Sequence, residues 1–304
     1  MMRLTFVGTG GGMPTPERGL PSLAIRFGGS LLILDCGEGT QRQLMAAKLG
    51  FPSSTHVFIT HLHADHYLGL AGLIATMDLS KREAPLYVYG PPGIRESLEH
   101  LLLGSRLDPG FQVVVREVGE GEVLNARDFV IDAIWTTHTV PSLAYRLREK
   151  DRPGKVNVEL LESIGLPKGP LWGELQRGKE VVYGGRTIRP DAAVGPPKKG
   201  RSVVYSGDSA PFQGMVEFAR GADVLVHEST YDQSLKSRAD QDLHSTAKDA
   251  ATIAAKANVK LLVLYHLSSR YRGRWGVLLE EANSVFPNVL LPEDLQSIDV
   301  PYQS

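Results

Sequence analysis

Side chains that bind metal ions are concentrated in one short segment. The run His61-Leu62-His63-Ala64-Asp65-His66 holds three imidazoles and one carboxylate, and it follows an apolar run at 57–59. Imidazole nitrogen suits zinc, and carboxylate oxygen suits zinc or a harder ion. Four such groups are more than one tetrahedral catalytic ion usually takes from so short a stretch. The segment therefore predicts a hydrolase with two metal ions.

Three further candidate ligands, His138, Asp208 and His266, each follow an apolar strand-like run elsewhere in the chain. In layered α/β proteins such strand ends gather at one rim. A lone histidine after a strand is more often structural, but four strands that end in this way make coincidence a poor explanation. Ligand counting assigns seven side chains to two ions, one held by His61, His63 and His138, the other by Asp65, His66 and His266, with Asp208 as the bridge.

Two ions in such a site lower the pKa of a water, orient it and neutralise charge on the attacked group. Asp65 would hold the water and accept its proton. Cleavage of a phosphodiester also needs help at the leaving oxygen, and His244, polarised by Glu228, fits that role. The alternative is that His244 is only a neighbour of Ser245, the predicted N-cap of the next helix. An ester, thioester or lactam substrate needs less of this help.

Strand-like and helix-like segments alternate, and the early and middle strands come in hairpins. This mixture predicts an α/β fold in which two mixed sheets pack together with helices outside, an αββα sandwich in one domain over residues 1–304. The predicted strands span 4–7, 23–27, 31–34, 57–59, 86–89, 111–118, 129–137, 142–147, 202–205, 224–226 and 261–265. The predicted helices span 40–49, 68–79, 94–103, 212–220, 245–257 and 275–285.

Glycine and proline interrupt the pattern between about residues 149 and 199. Only a helix over 158–164 and a strand over 181–183 are predicted there. Because this stretch is too long for an idle loop in a compact domain, we expect either a small packed insertion or a mobile linker.

Composition narrows the function classes. The net charge of −1 excludes a globally basic nucleic-acid-binding surface, so a polyanion would need local patches. The single cysteine, Cys36, excludes an intrachain disulfide and fits a reducing cytosol. The chain has no signal-peptide core and no run of 18 apolar residues, so we expect a cytoplasmic protein without a membrane span.

Other motifs favour structural roles. His56 and His100 lack a supporting motif and are expected on the surface or in packing, and His227 at a strand end could be structural. The glycine-rich turn at 8–12 could cradle a phosphate, but no clear helix follows it. Tight-turn packing beneath the active site is the favoured interpretation.

The ligand pattern resembles that of the metallo-β-lactamase superfamily. More narrowly, nearly the whole chain resembles the ribonuclease Z family. The more specific motifs are Phe6-Val7-Gly8-Thr9-Gly10, Asp35-Cys36-Gly37-Glu38-Gly39-Thr40-Gln41, Pro196-Pro197-Lys198-Lys199-Gly200-Arg201-Ser202, His227-Glu228-Ser229-Thr230, His244-Ser245-Thr246 and Ser268-Ser269-Arg270-Tyr271.

The resemblance implies a zinc-dependent endonuclease that removes the 3′ trailer from tRNA precursors and leaves a tRNA 3′-hydroxyl and a trailer 5′-phosphate. Manganese and cobalt suit the same ligands. It also implies a homodimer in which a flexible arm, here 149–199, grips tRNA for the other subunit. Candidate phosphate contacts in the arm are Arg152, Lys155, Lys168, Arg177, Lys179, Arg186 and Arg189. A second basic patch could comprise Arg270, Arg272 and Arg274, with Tyr271 and Trp275.

The chain departs from the family pattern in places. The loop Pro14-Thr15-Pro16-Glu17-Arg18-Gly19 lacks the usual lysine and asparagine, which leaves the treatment of the CCA end open, and Ser229 replaces an alanine. An aspartate stands at 208 where β-lactamases commonly have a cysteine, which argues against antibiotic hydrolysis. The competing hypotheses are a small-molecule ester, lactone or sulfate hydrolase, which needs neither the arm nor His244, and a non-catalytic RNA-binding protein, which would lack ligands.

Overall fold

Strands and helices alternate along residues 1–302, which the computed structural model describes. The strands are β1 Met2–Gly8, β2 Gly10–Gly11, β3 Ser22–Phe27, β4 Ser30–Leu34, β5 Thr55–Phe58, β6 Leu86–Gly90, β7 Val113–Glu117, β8 Gly121–Asn125, β9 Phe129–Trp135, β10 Leu143–Glu149, β11 Val181–Tyr183, β12 Arg186–Ile188, β13 Ser202–Tyr205, β14 Val224–Glu228, β15 Leu261–Tyr265, β16 Leu267–Ser268, β17 Val289–Leu290 and β18 Ser297–Asp299. The helices are α1 Thr40–Ala46, α2 Ala64–Tyr67, α3 Gly69–Leu79, α4 Ile94–Gly104, α5 Val158–Ser163, α6 Pro170–Gln176, α7 Pro190–Ala193, α8 Gln213–Phe218, α9 Lys236–Asp242, α10 Ala247–Ala257 and α11 Gly276–Asn283.

The chain divides into two units. The first, called the body, comprises Met1–Arg148 and Ser202–Pro301, and the second, called the insert, comprises Glu149–Arg201 with Tyr302. No helix among the described residues combines the length and the apolar character that a membrane crossing requires.

The body is built on two seven-stranded mixed sheets. The first has the order β18-β1-β3-β4-β5-β6-β7, and the second has the order β17-β15-β14-β13-β10-β9-β8. The strands β4 to β7 run parallel, as do β13, β14, β15 and β17. Parallel strands place their carboxyl ends along one edge, so residues that follow β5, β13, β14 and β15 can meet there.

Alternation along the strands creates three apolar cores. On β5, Phe58 contributes to the core shared by the two sheets, whereas Val57 contributes to the core with α1, α3 and α4. The third core joins the second sheet to α8, α10 and α11. Since successive strand side chains face opposite sides, one strand serves two layers, and burial of a side chain such as Phe58 contributes about 1.5–3 kcal/mol. The predicted αββα sandwich is confirmed.

The insert is folded around an apolar core of its own. The core residues are Leu161, Leu166, Trp172, Leu175, Val181, Ile188 and Ala193. The helix predicted over 158–164 and the strand predicted over 181–183 are present as α5 and β11. The sequence pattern missed α6, α7 and β12, since glycine and proline obscured these short elements. The insert is thus a small packed unit, one of the two alternatives that the sequence left open.

Differences elsewhere in the body are local. The helix predicted over 40–49 ends at Ala46, and the pattern missed β8 and α9. The prediction that Ser245 caps α10 is wrong: Thr246 is the N-cap, and it exchanges side-chain and backbone hydrogen bonds with Asp249. The capping box Thr246-x-x-Asp249 was visible in the sequence. Ser245 instead donates to the carbonyl of Ser209 at 2.7 Å.

Candidate active site and metal centre

The first predicted ligand group converges at the strand ends. His61 Nε2 lies 3.0 Å from His63 Nδ1, and His138 Nε2 lies 3.2 Å from the same atom. Asp208 Oδ2 lies 3.8 Å from His61 Nε2. All four side chains offer ligand atoms within 4.8 Å of one another. The structure therefore gathers the side chains that the sequence assigned to one ion.

The second group lies beside the first. Asp65 Oδ2 is 3.5 Å from His66 Nε2 and 3.4 Å from His266 Nε2. Asp208 Oδ2 is 3.4 Å from His66 Nε2 and 3.2 Å from His266 Nε2. The same Asp208 oxygen thus faces both groups, which is the placement that a bridging carboxylate requires.

Unpaired polar atoms at the centre of the cluster test whether these residues fit cations. Among residues 1–302, Asp208 Oδ1 is buried without a hydrogen-bond partner, and His66 Nε2 is buried with no hydrogen bond and with its nearest carboxylate oxygen at 3.4 Å. Such an atom costs about 1–3 kcal/mol when nothing pairs with it. Imidazole nitrogens and carboxylate oxygens are also the donors that zinc takes in catalytic sites. The donor set fits two divalent cations.

In three of the ligand histidines, the ring nitrogen that faces away from the other ligands has a hydrogen-bonding partner that fixes the ring. His61 Nδ1 lies 2.9 Å from Thr60 Oγ1, and His138 Nδ1 lies 3.2 Å from the carbonyl oxygen of Leu243. His266 Nδ1 lies 2.8 Å from Thr230 Oγ1. Such outer contacts orient metal-binding imidazoles. Sequence reasoning assigned no role to Thr60 or Thr230.

Asp35 orients the ring of a fourth ligand histidine, His66. Its Oδ2 lies 2.8 Å from His66 Nδ1 and accepts from the Tyr205 hydroxyl at 2.9 Å, while Oδ1 accepts from the Thr60 backbone N–H at 2.7 Å. Asp35 is fully buried and adopts a positive φ of 58°. Sequence reasoning missed this role, although Asp35 directly follows β4, a strand-end position like those of the ligands.

The cluster's electrostatics favour cations. Burial and the neighbouring His66 hold the pKa of His61 well below its ordinary value, so that ring stays neutral. Burial opposes charge on Asp208, but His266 and His66 lower its pKa well below the ordinary range. Burial likewise opposes charge on Asp65, and the hydrogen bond with His266 lowers its pKa. Burial opposes charge on His66, but Asp208 and Asp35 raise its pKa well above the ordinary value, so a bound cation would displace a proton from this ring. The neutral His61 and the ionised carboxylates are already in the protonation states that metal binding needs.

His244 and Glu228 form a pair at the edge of the cluster. His244 Nδ1 lies 2.8 Å from Glu228 Oε1, and the buried carboxylate also accepts from Ser209 N at 2.8 Å and from Thr230 Oγ1 at 2.7 Å. Burial disfavours the imidazolium of His244, but Glu228 raises its pKa to about 9. The ring of His244 stacks on His266, with centroids 5.4 Å apart. The pair can therefore hold a proton beside the ligand cluster.

The glycine-rich turn packs against the cluster. Gly10 and Gly11 pair in parallel with Leu267 and Ser268, and a Cβ on Gly11 would lie 2.4 Å from the His266 ring. The Gly12 backbone N–H donates to Asp65 Oδ2 at 2.8 Å. Glycine is needed at 11 because only hydrogen fits against the imidazole, which agrees with tight-turn packing beneath the site.

The remaining histidines and the cysteine lie outside the cluster. His56 stacks on Tyr87 with ring centroids 5.0 Å apart, and His100 is exposed on α4. His227 is buried and its Nδ1 lies 2.8 Å from the Glu228 carbonyl. Burial raises the pKa of Cys36 to about 12, so its thiol stays protonated.

The arginines at 270, 272 and 274 contact other side chains of the protein. Arg272 pairs with Glu17 at 2.7 Å, so the acidic residue in the atypical loop neutralises part of the predicted basic patch. The Arg270 guanidinium lies 4.6 Å from the Tyr231 ring centroid, and that of Arg274 lies 5.6 Å from the Tyr271 ring centroid.

Comparisons with known proteins agree with this geometry. A family profile described as a β-lactamase superfamily domain matches residues 192–267, and one described as anti-Pycsar protein Apyc1 matches residues 2–149. The two-sheet fold and the histidine–aspartate cluster define a hydrolase of the metallo-β-lactamase superfamily.

Full-length relatives identify the family. The chain is 41% identical over 303 residues to ribonuclease Z of Methanosarcina acetivorans, covering 100% of this chain and 99% of the relative. It is 45% identical over 304 residues to ribonuclease Z of Archaeoglobus fulgidus, covering 99% of both. A crystal structure of human tRNase Z, short form, matches with a TM-score of 0.71 and 27% identity, covering 98% of this chain and 99% of that one. The protein belongs to the ribonuclease Z family of endoribonucleases.

Proposed function

We propose that this protein removes the 3′ trailer from tRNA precursors by hydrolysis of a phosphodiester with two metal ions, leaving a 3′-hydroxyl on the tRNA and a 5′-phosphate on the trailer. The observation that carries the proposal is the convergence of seven ligand side chains beside the paired His244 and Glu228. The full-length similarity to proteins named ribonuclease Z and the match to human tRNase Z support tRNA as the substrate.

Two zinc ions are the proposed cofactors, with manganese or cobalt as alternatives of similar ligand preference. One ion would be held by His61, His63 and His138, the other by Asp65, His66 and His266, and both by Asp208. When bound, such ions activate a water molecule and stabilise negative charge on the phosphate.

The chain's own residues supply the proton transfers. Asp65, which is ionised and accepts a hydrogen bond from the Gly12 N–H, would accept the proton of the attacking water. His244, whose pKa of about 9 keeps it charged near neutral pH, donates a proton to the leaving 3′-oxygen. Glu228 is buried and holds the His244 ring through Nδ1, which leaves Nε2 as the donating atom.

The insert is the proposed arm that binds tRNA. Lys179 pairs with Glu174 at 3.0 Å and Arg189 pairs with Glu180 at 3.5 Å, and Arg177 also pairs with Glu174. Within residues 1–302, Lys155, Lys168 and Arg186 form no ion pair, so these cations are the strongest candidates for phosphate contacts. We further propose that two subunits associate as a homodimer, each presenting its arm to the other's active site.

We also propose a cytosolic location, because the only cysteine is a buried, protonated thiol of the kind that a reducing compartment maintains.

The decisive experiment is incubation of the purified protein with a trailer-bearing tRNA precursor, with and without a chelator, followed by mapping of both new ends. We expect one chelator-sensitive cut at the 3′ end of the tRNA, with the stated hydroxyl and phosphate termini. Hydrolysis of an ester, lactone or sulfate without any cleavage of the precursor would overturn the proposal in favour of a small-molecule hydrolase.

A further inference from the structure

The insert begins and ends in two paired segments, called the neck: 149–152, where the chain enters, and 198–201, where it leaves. The Glu149 N–H donates to the Arg201 carbonyl at 2.8 Å. The Arg152 N–H donates to the Lys198 carbonyl at 2.9 Å, and the Lys198 N–H donates to the Arg152 carbonyl at 2.8 Å. Through these two segments the continuous part of the insert, 149–201, joins the rest of the chain.

The neck is packed closely enough to require glycine and a buried ion pair. A Cβ on Gly200 would lie 1.9 Å from the Glu149 carbonyl oxygen. Arg201 Nε donates to Glu149 Oε2 at 2.7 Å, and the two side chains are only 3% and 6% exposed. Breaking such a pair leaves an uncompensated buried charge, so the two segments are held together strongly.

Tyr302, more than 100 residues beyond the neck in sequence, closes over both segments. The Arg152 guanidinium carbon lies 3.3 Å from the Tyr302 ring centroid, and that of Arg201 lies 3.8 Å from it. The Tyr302 hydroxyl donates to Glu149 Oε1 at 2.8 Å and accepts from Arg201 Nη2 at 3.0 Å. The Tyr302 side chain therefore touches one arginine in each segment and also the Glu149 carboxylate, which pairs with Arg201.

We propose that Tyr302 is a positioning residue for precursor binding: it clasps the neck so that the insert is ordered before RNA arrives. This inference rests on the proposed role of the insert as the tRNA-binding arm. Ordering a binding element in advance lowers the entropy cost of binding. Loss of the clasp should therefore raise KM for a tRNA precursor while leaving kcat, and the hydrolysis of a small phosphodiester, unchanged.

The contact with Tyr302 also changes the role that we propose for Arg152 in RNA binding. Sequence reasoning counted this residue among the phosphate contacts, but its guanidinium is occupied by the Tyr302 ring. Arg152 therefore acts on RNA binding through the neck, whereas Arg186 is exposed and available for direct contact.

The test compares Tyr302→Ala with Tyr302→Phe, which keeps the ring and loses only the hydroxyl. Tyr302→Ala removes the cation–π contacts with both arginines. Because of this loss, KM for a trailer-bearing precursor should rise about fivefold, with kcat unchanged. Turnover of bis(p-nitrophenyl) phosphate should be unaffected in both variants, and Tyr302→Phe should behave close to the parent. Hydrogen exchange at the Arg152 and Lys198 amides should accelerate in Tyr302→Ala and not in Tyr183→Ala, a control at an exposed tyrosine of the insert.

The possible results distinguish failure of the clasp from failure of the proposed function. Unchanged KM and unchanged neck exchange in Tyr302→Ala would overturn the clasp, as would equal losses on both substrates. If Tyr302→Ala misfolds, Arg152→Leu removes one stacking partner and keeps the Glu149–Arg201 pair. It should give the same selective rise in KM together with faster exchange at the Lys198 amide, which loss of a direct phosphate contact alone would not produce. If the parent protein hydrolyses only the small phosphodiester, the proposed function fails instead, and the exchange rates still decide whether Tyr302 closes the neck.

Discussion

The ligand cluster of the body and the cationic surface of the insert place charge in opposite environments. In the cluster, Asp208 and His66 are buried, and His66 is fixed by Asp35 at 2.8 Å. In the insert, Arg186 and Lys179 are exposed, and Lys179 shares Glu174 with Arg177.

The two environments impose different requirements on the cluster and on the insert. A buried charge is costly unless its partners are placed accurately, so the cluster depends on directed hydrogen bonds and fixed rings. An exposed charge is screened within about 10 Å at moderate salt and tolerates motion, so the insert depends on the number of its cations. A single substitution of a ligand in the cluster should therefore abolish activity, whereas each substitution of a cation in the insert should weaken RNA binding by a small amount.

The largest effect is expected from Asp208→Ala. Because one oxygen of Asp208 faces both ligand groups, its removal should leave fewer than the two proposed ions bound per chain and abolish hydrolysis of every substrate. Metal content by mass spectrometry checks this result. Asp128→Ala, at an exposed aspartate paired only loosely with Arg127 at 3.8 Å, is the matched control. A variant that kept its full metal content would refute the bridge.

Removal of residues 153–196 should separate the two regions. Arg152 and Lys198 pair as an antiparallel bridge, so a short glycine linker can rejoin the chain. We expect cleavage of a tRNA precursor to be abolished, while hydrolysis of bis(p-nitrophenyl) phosphate survives, because the ligand side chains all lie in the body. Initial rates on both substrates measure the effect. Equal loss on both would mean that the insert is structural.

His244→Ala should slow precursor cleavage by about 10²–10⁴-fold, the usual contribution of general acid–base catalysis. Metal content should stay intact. The loss should be smaller on bis(p-nitrophenyl) phosphate, whose nitrophenolate leaves without a proton. Because His244 also lies near Asp208 and His266, loss of metal from the variant would instead make it a ligand. His100→Ala, at an exposed histidine, is the control.

Asp35→Asn should give the smallest of these effects, about a 10–100-fold weakening of metal affinity, as is typical when an outer partner of a ligating histidine is changed. The amide keeps the shape of the side chain but offers His66 and Tyr205 a weaker acceptor. Competition with a chelator of known affinity measures the change, and thermal unfolding of the loaded variant checks the fold. Unaltered affinity would show that the ring of His66 is held by packing alone.

Much of the body could be predicted because its signals are local. Strand β15 was predicted with its observed bounds, since five consecutive apolar residues leave little alternative. The insert could be predicted less well, because β12 and α7 are short and depend on contacts with Trp172 and its neighbours rather than on their own periodicity. Family resemblance supplied the substrate class, which the ligand residues alone did not specify.

Short segments of sequence were enough to identify which residue types could bind metal and that each follows a strand, because side-chain chemistry and strand patterning are local properties. Contacts between distant segments were needed to show that one oxygen of Asp208 faces both ligand groups, that Asp35 and Thr230 fix the rings of His66 and His266, and that Tyr302 closes over Glu149 and Arg201. These relations join residues that are tens to hundreds of positions apart in the chain. They arise only when packing of the sheets and the neck brings the segments together.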